Sequence, residues 1–273
     1  MIIAQISDTH IRPKGKLAYR RVGTDLFLAR CVQHLCRMTP RPDVVLATGD
    51  LVDAGRPDEY RYLRELLAPL PMPVYLIPGN HDDRENLAAE FVDHEYLPRS
   101  GRFLQYVIER YPVRLIGLDT LVPGENGGLM CEERLAWLAA QLAEAADRPT
   151  VIFMHHPPFV TGIRHMDAQG LEGAEALGEV VGRHPQVERV LCGHVHRPIQ
   201  VRWHGTVASI APSTAHQVIL DLREDGPSAF AMEPAAYQIH VWRPGTGLIS
   251  HTSYIGEFDG PYPFYEGGKL IDD

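Results

Sequence analysis

The chain has 273 residues, 45% of them hydrophobic, enough for one large core or one domain with a small appendage. A formal net charge of -9 excludes the broad basic surface of a dedicated nucleic-acid polymer binder, yet leaves room for a small phosphate-bearing substrate held through cations. Four cysteines without a CxxC pair do not make a secreted disulfide framework. The opening MIIAQISDTH lacks a signal peptide's regions and no apolar run nears the ~20 residues of a membrane span, so a cytoplasmic chain with no membrane partner is expected.

In chain order, short Val/Ile/Leu-rich runs read as buried strands at Ile2 to Ile6, Asp43 to Thr48, Val74 to Ile77, Val113 to Leu118, Val151 to Met154 and Val187 to Cys192. Helical periodicity lies between them at Asp25 to Met38, Pro57 to Leu67, Glu132 to Ala146 and Glu172 to Gly182. Alternating strands and helices predict an α/β layered fold. After Pro198 the texture becomes strands punctuated by Gly and Pro, at Ile199 to Trp203, Thr206 to Ile210, Gln217 to Leu222, Ala229 to Met232, Tyr237 to Trp242 and Leu248 to Tyr254. The expected division is a catalytic unit over 1–198, a β-rich cap or dimerisation region over 199–255, and an aromatic tail over 256–273 packed on the body. Trp203 and Trp242 are expected in the cap core or a subunit interface.

The metal-capable residues follow the apolar runs. Asp8 and His10 follow the first, Asp50 and Asp53 the second, and Asn80, His81 and Asp82 the third. His155 and His156 follow the run from Val151; His194 and His196 follow the run from Val187. Sites in open α/β sheets form at the carboxyl ends of strands, so five strand ends offer ligands to one place. Carboxylate, imidazole and amide donors suit Mn, Fe, Zn or Co, and the set is large enough for a pair of ions. Strand alternation predicts Asp8 and His10 on one face, and likewise His194 and His196. Gly49, Gly79 and Gly193 each precede a proposed ligand, where a tight turn needs a residue without Cβ strain.

The blocks Asp8-Thr9-His10, Gly49-Asp50-Leu51-Val52-Asp53, Gly79-Asn80-His81-Asp82, His155-His156 and Gly193-His194-Val195-His196 resemble the calcineurin-like metallophosphoesterase signature, complete and in order. The stretches Gly55 to Tyr60, Tyr75 to Asp83, Ile152 to Pro158 and Thr214 to Gln217 look like the bacterial class III cyclic-nucleotide phosphodiesterases, and in particular their glycerophosphodiesterase branch. The resemblance implies an α/β sandwich of two mixed sheets flanked by helices, and a homo-oligomer. It implies two metals, one on Asp8, His10, Asp50 and His196 and the other on Asp50, Asn80, His155 and His194, with Asp50 bridging. A metal-activated hydroxide would then attack phosphorus in line, splitting a phosphodiester into a phosphomonoester and an alcohol.

His81 is the candidate catalytic acid or phosphoryl stabiliser beside Asp50, and Asn80, His81, His156 and His216 are candidates for substrate contact. Asp53 and Asp82 read either as braces for ligand histidines or as turn residues. The other histidines, His165 and His240 among them, have no partner pattern and read as structural. A phosphomonoesterase or protein phosphatase is the rival enzyme. Ala54, where such phosphatases carry Arg, and Asp82, where they carry Glu, count against it. A scaffold that lost catalysis would miss ligands, and this chain misses none.

Overall fold

The structure is a computed structural model describing residues 1–271. The first half alternates β1 (Ile2–Ile6), α1 (Thr24–Arg37), β2 (Val44–Thr48), α2 (Pro57–Leu67), β3 (Val74–Ile77) and α3 (Arg84–Glu90). It continues with β4 (Tyr106–Ile108), β5 (Arg114–Gly117), β6 (Gly128–Leu129), α4 (Glu132–Glu144) and β7 (Thr150–Phe153). Next come α5 (Arg164–Asp167), β8 (Leu171–Glu172), α6 (Ala174–Gly182) and β9 (Val187–Cys192). The remainder is all strand: β10 (Ile199–Trp203), β11 (Thr206–Ile210), β12 (Gln217–Val218), β13 (Phe230–Ala231), β14 (Ala236–Arg243), β15 (Gly247–Tyr254), β16 (Tyr265–Glu266) and β17 (Lys269–Leu270).

Two mixed sheets face each other. One has the order β15-β14-β1-β2-β3, the other β10-β11-β9-β7-β5-β4. Their parallel centres, β1 to β3 and β5, β7 and β9, are covered on both faces and therefore read as unbroken apolar runs; all five residues of β2 are buried. Leu28, Cys31, Val32 and Leu35 of α1 and Leu63 of α2 join one core with Ile3 and Val45, while Leu138 and Leu142 of α4 and Leu177 of α6 join a second with Ile152 and Val190. Gln5 ties the sheets together: its buried amide donates to Thr48 Oγ1 at 3.0 Å and to the Cys192 carbonyl at 2.9 Å. Caps set where helices begin. Asp83 accepts from Asn86 N at 2.9 Å and starts α3 directly after the Gly79–Asp82 block, a contribution of about 1 kcal/mol.

The strands after residue 198 do not form a separate cap. β10 and β11 extend the second sheet beside β9, and β14 and β15 extend the first beside β1. The short β12–β13 and β16–β17 hairpins stand outside both sheets. Local periodicity shows a strand but not its partner, and β14 pairs with a strand more than 230 positions away in the chain. Trp203 is buried in the core of the second sheet, and Trp242 packs against that of the first. The tail also departs from expectation. Residues 256–271 are exposed throughout, and β16 and β17 pair only with each other. Among the described residues no helix is long and apolar enough to cross a membrane.

Candidate metal centre

Parallel pairing sends the carboxyl ends of β1, β2, β3, β7 and β9 to one edge of the sandwich, and the turns that follow are stitched together. Asp8 N donates to the Gly49 carbonyl at 3.1 Å, His10 N to the Asp50 carbonyl at 2.9 Å, and Gly193 N to the His155 carbonyl at 3.0 Å. Asp8, His10, Asp50, His155, His194 and His196 are all buried here. Five of them have positive φ: Asp8 (54°), His10 (43°), Asp50 (47°), His194 (73°) and His196 (54°). That region is uncommon for residues with a Cβ and marks stored strain at a site. The common direction of Asp8 and His10, and of His194 and His196, thus comes from left-handed turns and not from strand alternation.

The glycines act mainly by close approach. A Cβ on Gly79 would stand 2.3 Å from Asp50 N, and one on Gly193 2.1 Å from Ser7 Oγ; neither has a positive φ. Gly49 has both constraints, with φ at +85° and a Cβ position 2.5 Å from His155 Nδ1.

Each histidine is oriented by the nitrogen that faces away from the cluster. His155 Nδ1 donates to the Thr48 carbonyl (2.8 Å), His194 Nε2 to the Gln169 carbonyl (3.0 Å), His196 Nδ1 to the His216 carbonyl (3.1 Å) and His10 Nδ1 to Asp53 Oδ1 (3.2 Å). In the neutral imidazoles the other nitrogens are lone-pair donors, the form that binds a metal, and they converge. His10 Nε2 and His196 Nε2 lie 3.1 Å apart. His155 Nε2 and His194 Nδ1 lie 3.1 and 3.0 Å from Asn80 Oδ1. Asp8 Oδ2 is buried with no hydrogen-bond partner. Acceptors facing acceptors repel in a dry site, and a cation between them reverses the sign. The residues therefore fit metal ions.

Four groupings of donor atoms occur among the described residues, two of them His155 with His156 and His194, and His10 with Asp53 and His81. The donor atoms of Asp8, His10 and His196 lie within 4.8 Å of one another, as do those of Asp8, Asp50 and His155. Asp50 reaches both sides, with Oδ2 3.6 Å from His10 Nε2 and Oδ1 3.4 Å from His155 Nε2. Burial acts to raise the Asp50 pKa, but the fields of His155, His81 and His10 outweigh it and hold the carboxyl well below the usual range. Burial pushes Asp8 up to about 6. Burial opposes protonation of His155 too, yet Asp50 raises it to about 9, while burial dominates at His194 and lowers it to about 3.

A cavity of about 330 Å³ opens beside these donors, lined by His10, Asp50, Asn80, His81, His194 and His196 on its floor. His81 lies against the cavity next to Asn80. Its backbone N donates to Asp50 Oδ1 (2.9 Å) and its Nδ1 to the Asp53 carbonyl (2.8 Å), leaving Nε2 for the cavity. His216 also lines the cavity, and its Nδ1 has no partner. His156 does not line it. The ring is fully buried beside Gly128, with Nδ1 2.8 Å from Thr120 Oγ1 and Nε2 3.2 Å from the Asn126 carbonyl, so substrate contact through it is not supported. Asp53 braces His10 and pairs with Arg12 at 2.7 Å. Asp82 touches no ligand histidine. It accepts from Leu51 N (3.0 Å), Gly79 N (2.8 Å) and Tyr60 Oη (2.9 Å), pinning the turn that carries Asp50.

The upper walls were not visible in the sequence. Tyr19, His165, Met166 and Phe230 come from the loop after β1, from α5 and from the β12–β13 hairpin. No spacing singles them out, and His165 read as structural. A larger hollow of about 610 Å³ between β3 and β4 contains none of the clustered donors.

Comparison with known proteins agrees with this geometry. The profile of the calcineurin-like phosphoesterase family matches residues 1–198. A protein of Arcobacter nitrofigilis named "probable glycerophosphodiester phosphodiesterase" is 46% identical over the whole of both chains. A "cAMP/cGMP dual specificity phosphodiesterase" of Mycobacterium tuberculosis is 32% identical over 88% of this chain and 76% of its own. A dimetal phosphatase of Danio rerio has a similar solved structure, with a TM-score of 0.60 at 18% identity, covering 94% of this chain and 99% of that one. At that identity it speaks for the fold alone.

Proposed function

The chain belongs to the calcineurin-like phosphoesterase family, and from that premise we propose that it is a metal-dependent hydrolase of small phosphodiesters, working with two ions. The observation that carries this reading is the convergence of seven donor residues from five strand ends around Asp50, with their lone pairs already facing one another. Asp8, His10, Asp50 and His196 would hold one ion, and Asp50, Asn80, His155 and His194 the other. When bound, such ions supply Lewis acidity toward phosphoryl oxygens and activate water as the nucleophile. Mn, Fe, Zn and Co all suit the donor set.

The protein's own residues supply the rest. Asn80 and His216 face the cavity and orient the phosphate, and the Asp53 carbonyl fixes the His81 ring. His81 Nε2 delivers a proton to the departing alcohol oxygen as the new bond to phosphorus forms from water. The products are a phosphomonoester and an alcohol.

Glycerophosphodiesters are the leading substrates, supported by the relative that matches this chain end to end; cyclic nucleotides are the second class, supported by the mycobacterial relative. Residues 1–198 form the catalytic unit, and the later strands complete its sheets. Four free cysteines support a reducing, cytoplasmic setting, and the protein works there as a homo-oligomer. The test is a kinetic panel on metal-stripped protein reloaded with Mn, Fe, Zn or Co. Turnover should be metal-dependent and faster on bis(p-nitrophenyl) phosphate and a glycerophosphodiester than on p-nitrophenyl phosphate. A preference for the monoester would overturn the reading.

A further inference from the structure

His156 is a buried polar ring that the proposed hydrolysis does not use. It stands outside the lining of the cavity, yet one of its nitrogens lies within 4.8 Å of donor atoms of His155 and His194. It adds no ligand, because both nitrogens are engaged. Nε2 donates to the Asn126 carbonyl at 3.2 Å, and Nδ1 accepts from the Thr120 hydroxyl at 2.8 Å. One neutral tautomer satisfies both bonds and leaves no lone pair for an ion.

The ring instead backs two of the donors. Its centroid is 4.8 Å from that of His155, with 86° between the planes, and 4.7 Å from that of His194, with 50°. His155 and His194 are themselves 5.1 Å apart, so the three rings close a triangle. Gly128 shuts the far side: a Cβ there would stand 2.4 Å from His156 Nδ1. The same loop leads on to the brace of His194. Gly128 N donates to the Gly170 carbonyl at 3.0 Å and Met130 N to the Glu172 carbonyl at 2.9 Å, which pairs β6 with β8. The residue before Gly170 is Gln169, whose carbonyl accepts from His194 Nε2 at 3.0 Å. His156 therefore acts on His194 by ring contact and again through the loop of Asn126 and Gly128. The donors on the other side have separate supports. His10 leans on Asp53 and His196 on the His216 carbonyl, and among the described residues the rings against His156 are those of His155 and His194.

We propose that His156 is a positioning residue for one of the two ions, the one assigned to Asn80, His155 and His194, and has no part in holding the other. The proposal rests on the two-ion reading above. A ligating histidine binds well when its ring is held at a fixed angle, and partners that hold it so are worth about 10- to 100-fold in metal affinity.

The test reads metal binding and not turnover. Stripped full-length protein is titrated calorimetrically with Mn²⁺ in two backgrounds. His10→Ala leaves the side of Asn80, His155 and His194 intact, and His155→Ala leaves the side of Asp8, His10 and His196. Adding His156→Leu, close in volume and without hydrogen bonds, should weaken the remaining ion about 10- to 100-fold in the first background and leave it unchanged in the second. Thr120→Val keeps the imidazole and removes only the hydroxyl on Nδ1, so it decides the question where the leucine variant does not fold. In the first background it should weaken the same ion by a smaller factor. A wild-type chain that takes up fewer than two ions would end the two-ion reading and this role with it. Two ions in the wild type, with the variants weakening both sides alike or neither, would end this role alone.

Discussion

His10 Nδ1 sits 3.2 Å from Asp53 Oδ1, whereas the other three site histidines rest on backbone carbonyls. A carbonyl cannot be removed by substitution, so Asp53 is the one brace of this set that mutation can test. Asp53→Ala should weaken metal affinity about 10- to 100-fold, the usual loss for a partner of a ligating histidine. Asp53→Asn, which keeps an acceptor oxygen, should lose less. Calorimetric titration of stripped protein with Mn²⁺ measures both, and equal affinity in wild type and Asp53→Ala would remove Asp53 from the site.

Gly79 offers a steric test. An added Cβ there meets Asp50 N at 2.3 Å and Asp50 Oδ1 at the same distance, and neither can retreat without moving the shared carboxylate. Gly79→Ala should therefore cost nearly all bound metal. Gly23→Ala, whose Cβ finds ordinary contacts at 3.6 Å, should keep it. Elemental analysis of the two purified variants decides the matter, and full metal content in Gly79→Ala would refute the clash.

Much of this site could be read from sequence because parallel strands end at one edge. Once the apolar runs before Asp8, Asp50, Asn80, His155 and His194 were recognised, their convergence followed from topology. The bounds of β1, β3, β9 and α2 were also legible, since each begins and ends at Gly, Pro or a charged residue or at the edge of an apolar run. What stayed hidden depended on distant partners. β4 has three residues and gains its identity by pairing with β5; β14 finds β1 across nearly the whole chain. The left-handed turns at Asp8 and His196 leave no local signature, because neither residue is glycine. Nor does the helical turn that brings His165 to the cavity.

His81 can be separated from the metal ligands by leaving group. Its Nε2 faces the cavity with Nδ1 already engaged, so it can protonate an alkoxide but is not needed to hold an ion. His81→Asn should lower kcat on a glycerophosphodiester by roughly 10²- to 10⁴-fold, the range for loss of a general acid. The loss should be much smaller on bis(p-nitrophenyl) phosphate, whose phenolate leaves without a proton. Metal content should be unchanged. Equal losses on both substrates would assign His81 to phosphate binding instead.

His240 predicts how stability follows pH away from the metal site. The ring is buried on β14, with Nδ1 2.6 Å from Ser250 Oγ and Nε2 3.1 Å from Gln5 Oε1. Burial, aided by the charges of Arg189 and His251, lowers its pKa from 6.5 to about 3. Above pH 6.5 the imidazole is neutral folded or unfolded, and its contribution is fully present. Between 6.5 and 3 the unfolded chain takes up a proton that the folded chain refuses, so stability falls as pH falls. At pH 5 the loss from this residue is about 2 kcal/mol. Urea unfolding at pH 7 and pH 5 should show His240→Gln losing less between the two than the parent, because the titrating groups of the metal site cancel in the comparison. An identical loss in both proteins would mean that the ring accepts its proton without leaving the fold.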